Sequence, residues 1–480
     1  MKALCDQGLD AAVAAGAEHA DVRVVERREQ HVATRNGQVD TVDDSETAGI
    51  GVRVLVDGAW GFASTHRLDG EGARDAALRA VGLARAGSRG SARRRVTLAP
   101  LAPGRGEYRT AAARNPVDVP LSEKVELCLR AEAGLRSEDV RVAEASVRAQ
   151  RERRWLRSSE GADTFHEILE TGAGINAIAV RDGLLQVRSY PMAHGGASFQ
   201  GGWETIEALG LEREAPRVAE EAVALLSADP CPPMTTTLVL DAEQAQLQLH
   251  ESVGHPIELD RIYGSEAAYA GTSFLAADDV GRFRYGSPLM NVTADPTTPG
   301  GLGTFAFDDE GVAAAPEPIV REGVLVGVLT SRETAATLGI GRGGSMRADG
   351  WARMPLVRMT NLHLDPGEGT LDDLLADVDE GVYLETNRSW SIDDKRLNFQ
   401  FGTQIAWEIR NGRRGRMLRD ATYMGVTPRF WASLDAVAGP ASWWLAGHTN
   451  CGKGQPGQLA HVSHGASPCR FRNVQVGVRQ

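Results

Sequence analysis

The stretch "TTTLVLDAEQAQLQLHESVGHPIELD", Thr235 to Asp260, decides how the rest of the chain is read. Thr235–Leu240 is a β-branched apolar run that reads as a strand. Asp241 follows as an N-cap with Gln244 at the third helical position, and helical spacing then makes Ala242, Ala245, Leu249 and Val253 the buried stripe. His250 and Glu251 fall near the end of this helix, in a pattern H-E-x-x-x-H that closes at His255. That pattern is one residue longer than the H-E-x-x-H of zinc peptidases. In a straight helix residues five apart are rotated by about 140°, against about 40° for residues four apart, so the two histidines would not share a face. They can share a metal only if the helix widens by one residue. A π-type turn, or a helix end that swings His255 back, is therefore predicted, with Gly254 easing the distortion and Pro256 stopping the helix. The competing reading is a pair of ordinary hydrogen-bonded histidines.

A catalytic zinc site needs three protein ligands and one open position. Cys451 in "GHTNCGKGQPG" (residues 447–457) is the leading candidate for the third, because its glycines let the backbone fold closely around an ion. His448, His461, His464 and Cys469 are the alternatives. Glu251, next to a ligand, is placed to take a proton from an attacking water and return it to the leaving amine. Glu258 and Asp260 are candidates to orient the ligand histidines from behind.

The chain has 480 residues, beyond the size at which a single core stops growing, and divides best into domains 1–230 and 231–480. The boundary is "DPCPP", Asp229 to Pro233, where prolines end the preceding helix. Composition is that of a globular protein, 42% hydrophobic and 24% charged. A net charge of −12 argues against a nucleic-acid surface, and no long uncharged apolar run argues for a membrane span or signal peptide. The expected compartment is the cytoplasm, and the five scattered cysteines read as reduced thiols.

The first half alternates like strands that break at Asn36-Gly37, Asp57-Gly58 and Asp182-Gly183, with helices over 70–87, 121–135 and 212–228. The units "GIGVRVLVDGAWGFAST" and "GAGINAIAVRDGLLQVRSY" resemble each other and hint at an internal duplication. The second half is strand-rich, with hairpin turns at Glu322-Gly323 and Asn411-Gly412. The fold class is α+β: a mixed α/β N-terminal domain, then a domain dominated by antiparallel sheet that carries the H-E-x-x-x-H helix. Three signals are set aside. "GIGRGG" (339–344) lacks the flanking strand and helix of a dinucleotide site, so Gly339 reads as a helix C-cap leading into a loop that borders the substrate cavity. "FHEILE" (165–170) has no second histidine in register. The arginine clusters at 93–95 and 151–154 read as solvated loops or strand edges.

"LHESVGHPIELD", "AGTSF", "GTFAFDDEG", "VLVGVLTSRETAATLG", "ARMPLVRMTN", "SIDDKRLNFQFGTQIAWEIRNG" and "TNCGKG" fall in the order and spacing of the TldD/PmbA family of metallopeptidases, and the chain resembles that family over essentially its whole length. The resemblance implies one zinc held by His250, His255 and Cys451, with Glu251 as the motif glutamate. It also implies unfolded or modified small peptides as substrates and a heterodimer with a metal-free TldE/PmbA-like subunit. The alternative is that this chain is itself a non-catalytic, peptide-binding partner subunit, against which the intact ligand set speaks. After Cys451 the chain departs from the usual longer loop and runs "GQPGQLAHVSHGASPCRFRNVQVGV".

Overall fold

The computed structural model describes residues 1–89, 95–269, 271–341 and 343–477. The first half repeats one order of elements. Helix α1 (Lys2–Ala14), strands β1 (His19–Arg35), β2 (Gln38–Val56) and β3 (Ala59–Thr65) and helix α2 (Gly70–Arg89) form the first set. Helix α3 (Leu121–Ala133), strands β4 (Val140–Ser158), β5 (Asp163–Arg181) and β6 (Leu184–Tyr190) and helix α4 (Leu211–Leu225) form the second. The sets meet where β1 pairs antiparallel with β4, from Asp21↔Ser158 to Arg35↔Glu144. The duplication hinted at by the G-x-G segments is thus visible as two α-β-β-β-α units side by side. The hairpins turn at the expected dipeptides, both residues with positive φ: 51° and 81° at Asn36-Gly37, 50° and 72° at Asp57-Gly58, 51° and 80° at Asp182-Gly183.

The second half adds β8 (Met234–Leu240), helix α5 (Ala242–Leu249), β9 (Asn361–Leu364), β10 (Glu380–Ile392), β11 (Asn398–Arg410), β12 (Thr422–Val426), β13 (Trp444–Lys453), β14 (Gln458–Ala466) and β15 (Cys469–Val476). The pairings β10–β8–β15–β12–β11–β10 close into a ring. The other strands continue the first sheet, in the order β9–β14–β13–β7–β5–β4–β1–β2–β3, where β7 is Ala197–Gln200. One sheet therefore spans both halves of the chain. Cys451 on β13 is carried by it to the same place as the first-half loop before β7.

Buried ion pairs fasten the halves together. Arg154 meets Asp309 at 2.8 Å, and Arg53 meets Asp21 at 2.8 Å and Glu310 at 3.1 Å. The "FDDEG" segment, Phe307–Gly311, is thus a clasp, with the Asp308 carboxylate accepting N–H groups of Glu310 and Val312 at 2.9 Å. This corrects the reading of Arg151–Arg154 as a solvated edge: β4 is paired on both sides, and alternation turns Arg154 inward against Asp309. Of the other cluster, Arg95 is exposed, while Arg93 and Arg94 lie outside the described residues. "FHEILE" is part of β5. Gly339 does cap a helix, at φ 80°, but the loop after it lines a separate cavity of about 250 Å³ beside Val328 and Leu338, away from the histidines.

Helix α5 is not amphipathic. Residues 243–249 are all buried, including three glutamines. Each glutamine is hydrogen-bonded: Gln244 Nε2 donates to Tyr423 Oη at 2.8 Å, Gln246 Nε2 to the Trp444 carbonyl at 2.8 Å, and Gln248 Nε2 to Ser252 Oγ at 2.9 Å. Buried polar groups are tolerated when paired in this way, so hydrophobic periodicity understates how deeply this helix sits.

Candidate metal centre

The expected N-cap is present, Asp241 Oδ1 accepting the Gln244 N–H at 2.7 Å. From His250 to Gly254 the helix then widens into a π turn, and the His255 N–H donates to the His250 carbonyl five residues back at 3.2 Å. This widening removes the rotation that would part the histidines. Their rings lie 4.8 Å apart, centroid to centroid. Gly254 contributes by size, not by backbone freedom: a Cβ there would stand 2.1 Å from Met359 Sδ.

Cys451 reaches the pair from β13. One donor atom each of His250, His255 and Cys451 lies within 4.8 Å of the others, and Cys451 Sγ is 3.9 Å from His255 Nε2. All three side chains are buried. The outer nitrogens are occupied. His255 Nδ1 is 3.2 Å from Glu258 Oε2, and since a carboxylate only accepts, His255 carries its proton on Nδ1 and presents the Nε2 lone pair inward. His250 Nδ1 is 2.7 Å from His464 Nε2, which leaves His250 Nε2 free to face the cysteine.

Sequence-based candidates are sorted by this geometry. His464, weighed as an alternative ligand, stands behind His250. His461 pairs with Glu170 at 2.5 Å, and Cys469 is buried on β15. His448 lines the cavity in front of the site, its buried Nε2 without a hydrogen bond among the described residues. Glu258 orients His255 as expected. Asp260 does not touch either candidate ligand histidine: it accepts from Lys453 Nζ at 2.7 Å, and the same ammonium lies 3.3 Å from Glu258 Oε1. Sequence reasoning noted Lys453 beside Cys451 without giving it a role, and missed Arg358 and Arg396. Arg358 donates to the Cys451 carbonyl, and Arg396 is paired with Glu251 Oε2.

Electrostatics fit a cation site. Burial holds the His250 and His255 imidazoles below the usual histidine value, which keeps them neutral. Burial alone would raise the Cys451 thiol, but neighbouring His255 and Arg358 outweigh it and leave the group below the ordinary thiol value. The other cysteines go the opposite way: burial pushes Cys5 and Cys128 up to about 12 and Cys231 to about 11, and raises Cys469 as well. Burial opposes ionisation of Glu258, yet Lys453 and the bond from His255 hold it well below the usual carboxylate range. Around tetrahedral zinc, donors bonded at about 2.0–2.3 Å stand roughly 3.3–3.8 Å apart. The three donors need close by only about an ångström to meet that spacing.

The site opens on a cavity of about 340 Å³ whose wall is shared by the two halves: His194 and Ser198 from the first, Glu243, Trp390 and Arg396 from the second.

Family profiles match along the chain: "PmbA/TldA metallopeptidase domain 1" at residues 20–84, "PmbA/TldA metallopeptidase central domain" at 114–228 and "PmbA/TldA metallopeptidase C-terminal domain" at 233–478. The chain belongs to the PmbA/TldD metallopeptidase family. Among PmbA/TldD relatives, a "Metalloprotease" of Methanothermobacter thermautotrophicus is 31% identical over 462 residues, covering 96% of this chain and 95% of that one. A "Zinc metalloprotease TldD homolog" of Saccharolobus solfataricus is 25% identical over 50% of this chain and 51% of its own. The PmbA/TldD fold is shared with the crystal structure of TldE from Thermococcus kodakarensis, at TM-score 0.75 and 16% identity, covering 100% of both chains.

Proposed function

We propose that this chain is the catalytic, zinc-dependent peptidase subunit, hydrolysing peptide bonds of unfolded or modified small peptides. The observation that carries the reading is the π turn, which sets His250 and His255 side by side within reach of Cys451. His250 Nε2, His255 Nε2 and Cys451 Sγ would hold one zinc. When bound, the ion supplies Lewis acidity to a carbonyl oxygen and to water beside it. Glu251 takes a proton at its carboxylate and passes it to the leaving amine, while Arg396 fixes the direction of that carboxylate. His464 and Glu258 hold the two imidazoles in the tautomers that present Nε2. His448 presents an unpaired ring nitrogen to the cavity, placed to donate a hydrogen bond to a substrate carbonyl. The zinc in the name of the Saccharolobus relative supports the choice of metal.

We keep three further expectations as parts of the same proposal: a division at Asp229–Pro233, a metal-free homologous partner subunit, supported by the likeness to TldE, and a cytoplasmic location. Among the described residues no helix is long and apolar enough to cross a membrane.

The test is zinc content and peptide hydrolysis, with and without chelator, for the native chain and for Glu251→Gln and Cys451→Ser. The expected pattern is about one zinc per chain in the native protein and in Glu251→Gln, hydrolysis only in the native protein, and loss of both in Cys451→Ser. Zinc retained unchanged by Cys451→Ser, or hydrolysis surviving Glu251→Gln, would overturn the assignment.

A further inference from the structure

Glu243 lies on α5 two turns before His250 and lines the same cavity. Its Oε1 accepts N–H groups from Ala193 at 3.0 Å and Asn387 at 3.4 Å. Its Oε2 is buried and, among the described residues, makes no hydrogen bond, and the residue is 5% exposed. Burial, the strongest influence, pushes this carboxyl up to about 7, against the Ala193 and Asn387 N–H groups and the charge of Arg188, which favour its ionised form. A buried carboxylate oxygen without a partner is costly, and a cation brought to it removes that cost.

The wall beside it suits a cation. Trp390, 41% exposed, faces the same cavity and packs edge-on against His194 with ring centroids 5.1 Å apart. An indole face attracts an ammonium group through its quadrupole. Neither feature is used by the chemistry at Glu251, so both are free to select substrate.

Position fixes the register. His250 lies seven positions after Glu243, a rise of about 10 Å along a helix. An extended peptide advances roughly 3.3 Å per residue. We propose that Glu243, with Trp390, binds an ammonium group of the peptide substrate about three residues from the bond that is cut. This inference deepens the peptidase reading and rests on it. The ammonium can be a free amino terminus or a lysine side chain, and the experiment separates the two.

Full-length Glu251→Gln protein, which leaves peptides uncut, is titrated with C-terminally dansylated pentaalanine in four forms: free amino terminus, N-acetylated, N-acetylated with lysine first, and N-acetylated with norleucine first. An ammonium-bearing peptide is expected to bind about tenfold tighter than its uncharged counterpart, the scale of a charge-assisted hydrogen bond. Adding Glu243→Gln, nearly isosteric and able to keep the Ala193 contact, should abolish the preference without weakening the uncharged peptides, and Glu243→Asp should retain part of it. Preference for the free terminus alone identifies the amino terminus; preference for lysine over norleucine identifies the side chain. No preference, or one that survives Glu243→Gln, overturns the inference. Preference without hydrolysis by any Glu251-bearing protein would sink the peptidase reading while leaving the Glu243 site standing, and failure of every peptide to bind would sink both.

Discussion

Replacing His464 tests whether the group behind a ligand governs metal affinity. His464 is fully buried, and its Nε2 stands 2.7 Å from His250 Nδ1. If His250 binds zinc through Nε2, its proton sits on Nδ1 and His464 is the acceptor that keeps it there. His464→Leu fills similar space but cannot accept. It strands a buried N–H, which costs about 1–3 kcal/mol, and at about 1.4 kcal/mol per decade this is roughly a 10–100-fold loss of zinc affinity. His464→Gln offers a carbonyl oxygen and should recover part of the loss. The assay is zinc competition against a chromogenic chelator near neutral pH, on protein whose circular dichroism matches the native chain. A His464→Leu protein that is folded and binds zinc as tightly as native, or a His464→Gln protein weaker than His464→Leu, would refute the reasoning.

Three other outcomes are expected. Gly254→Ala brings a Cβ to 2.1 Å from Met359 Sδ, so one of them must retreat by about 1.3 Å to reach ordinary contact; the overpacking should cost about 1–3 kcal/mol in urea titration and lower zinc content, and Gly254→Ala with Met359→Ala should cost less than the sum of the single changes. Acid should release zinc only below the ordinary histidine range: burial depresses the His250 and His255 values, so the neutral, ligating forms persist as pH falls through 6.5, and zinc content measured against pH should hold at that point; loss beginning above 6.5 would contradict the shifts. In metal-free protein Cys451 should be alkylated before the other four cysteines, as read by peptide mass mapping, because its thiol alone is lowered; Arg358→Met should slow that reaction by removing the guanidinium charge that helps to lower it.

What the sequence determined by itself was local. The strand, Asp241 cap and helix, the five-residue spacing that requires a π turn or a swung-back helix end if the histidines share a metal, and the dipeptides that force positive φ in the hairpins all depend on neighbours within a few positions, and such constraints are written in consecutive residues. Family motifs carried Cys451 to the site as well, although only the fold brings β13 beside α5. Tertiary structure alone decided which groups stand behind the proposed ligands. His464 and Asp260 looked interchangeable with their neighbours until β14 placed the first against His250 and Lys453 claimed the second. It also decided that α5 is buried on every side, because glutamines read as polar until their partners on other strands are known, and that Arg154 faces inward, because a paired central strand buries alternate residues whatever their charge. These are contacts between segments far apart in the chain, and no periodicity in one segment records what another will bring to it.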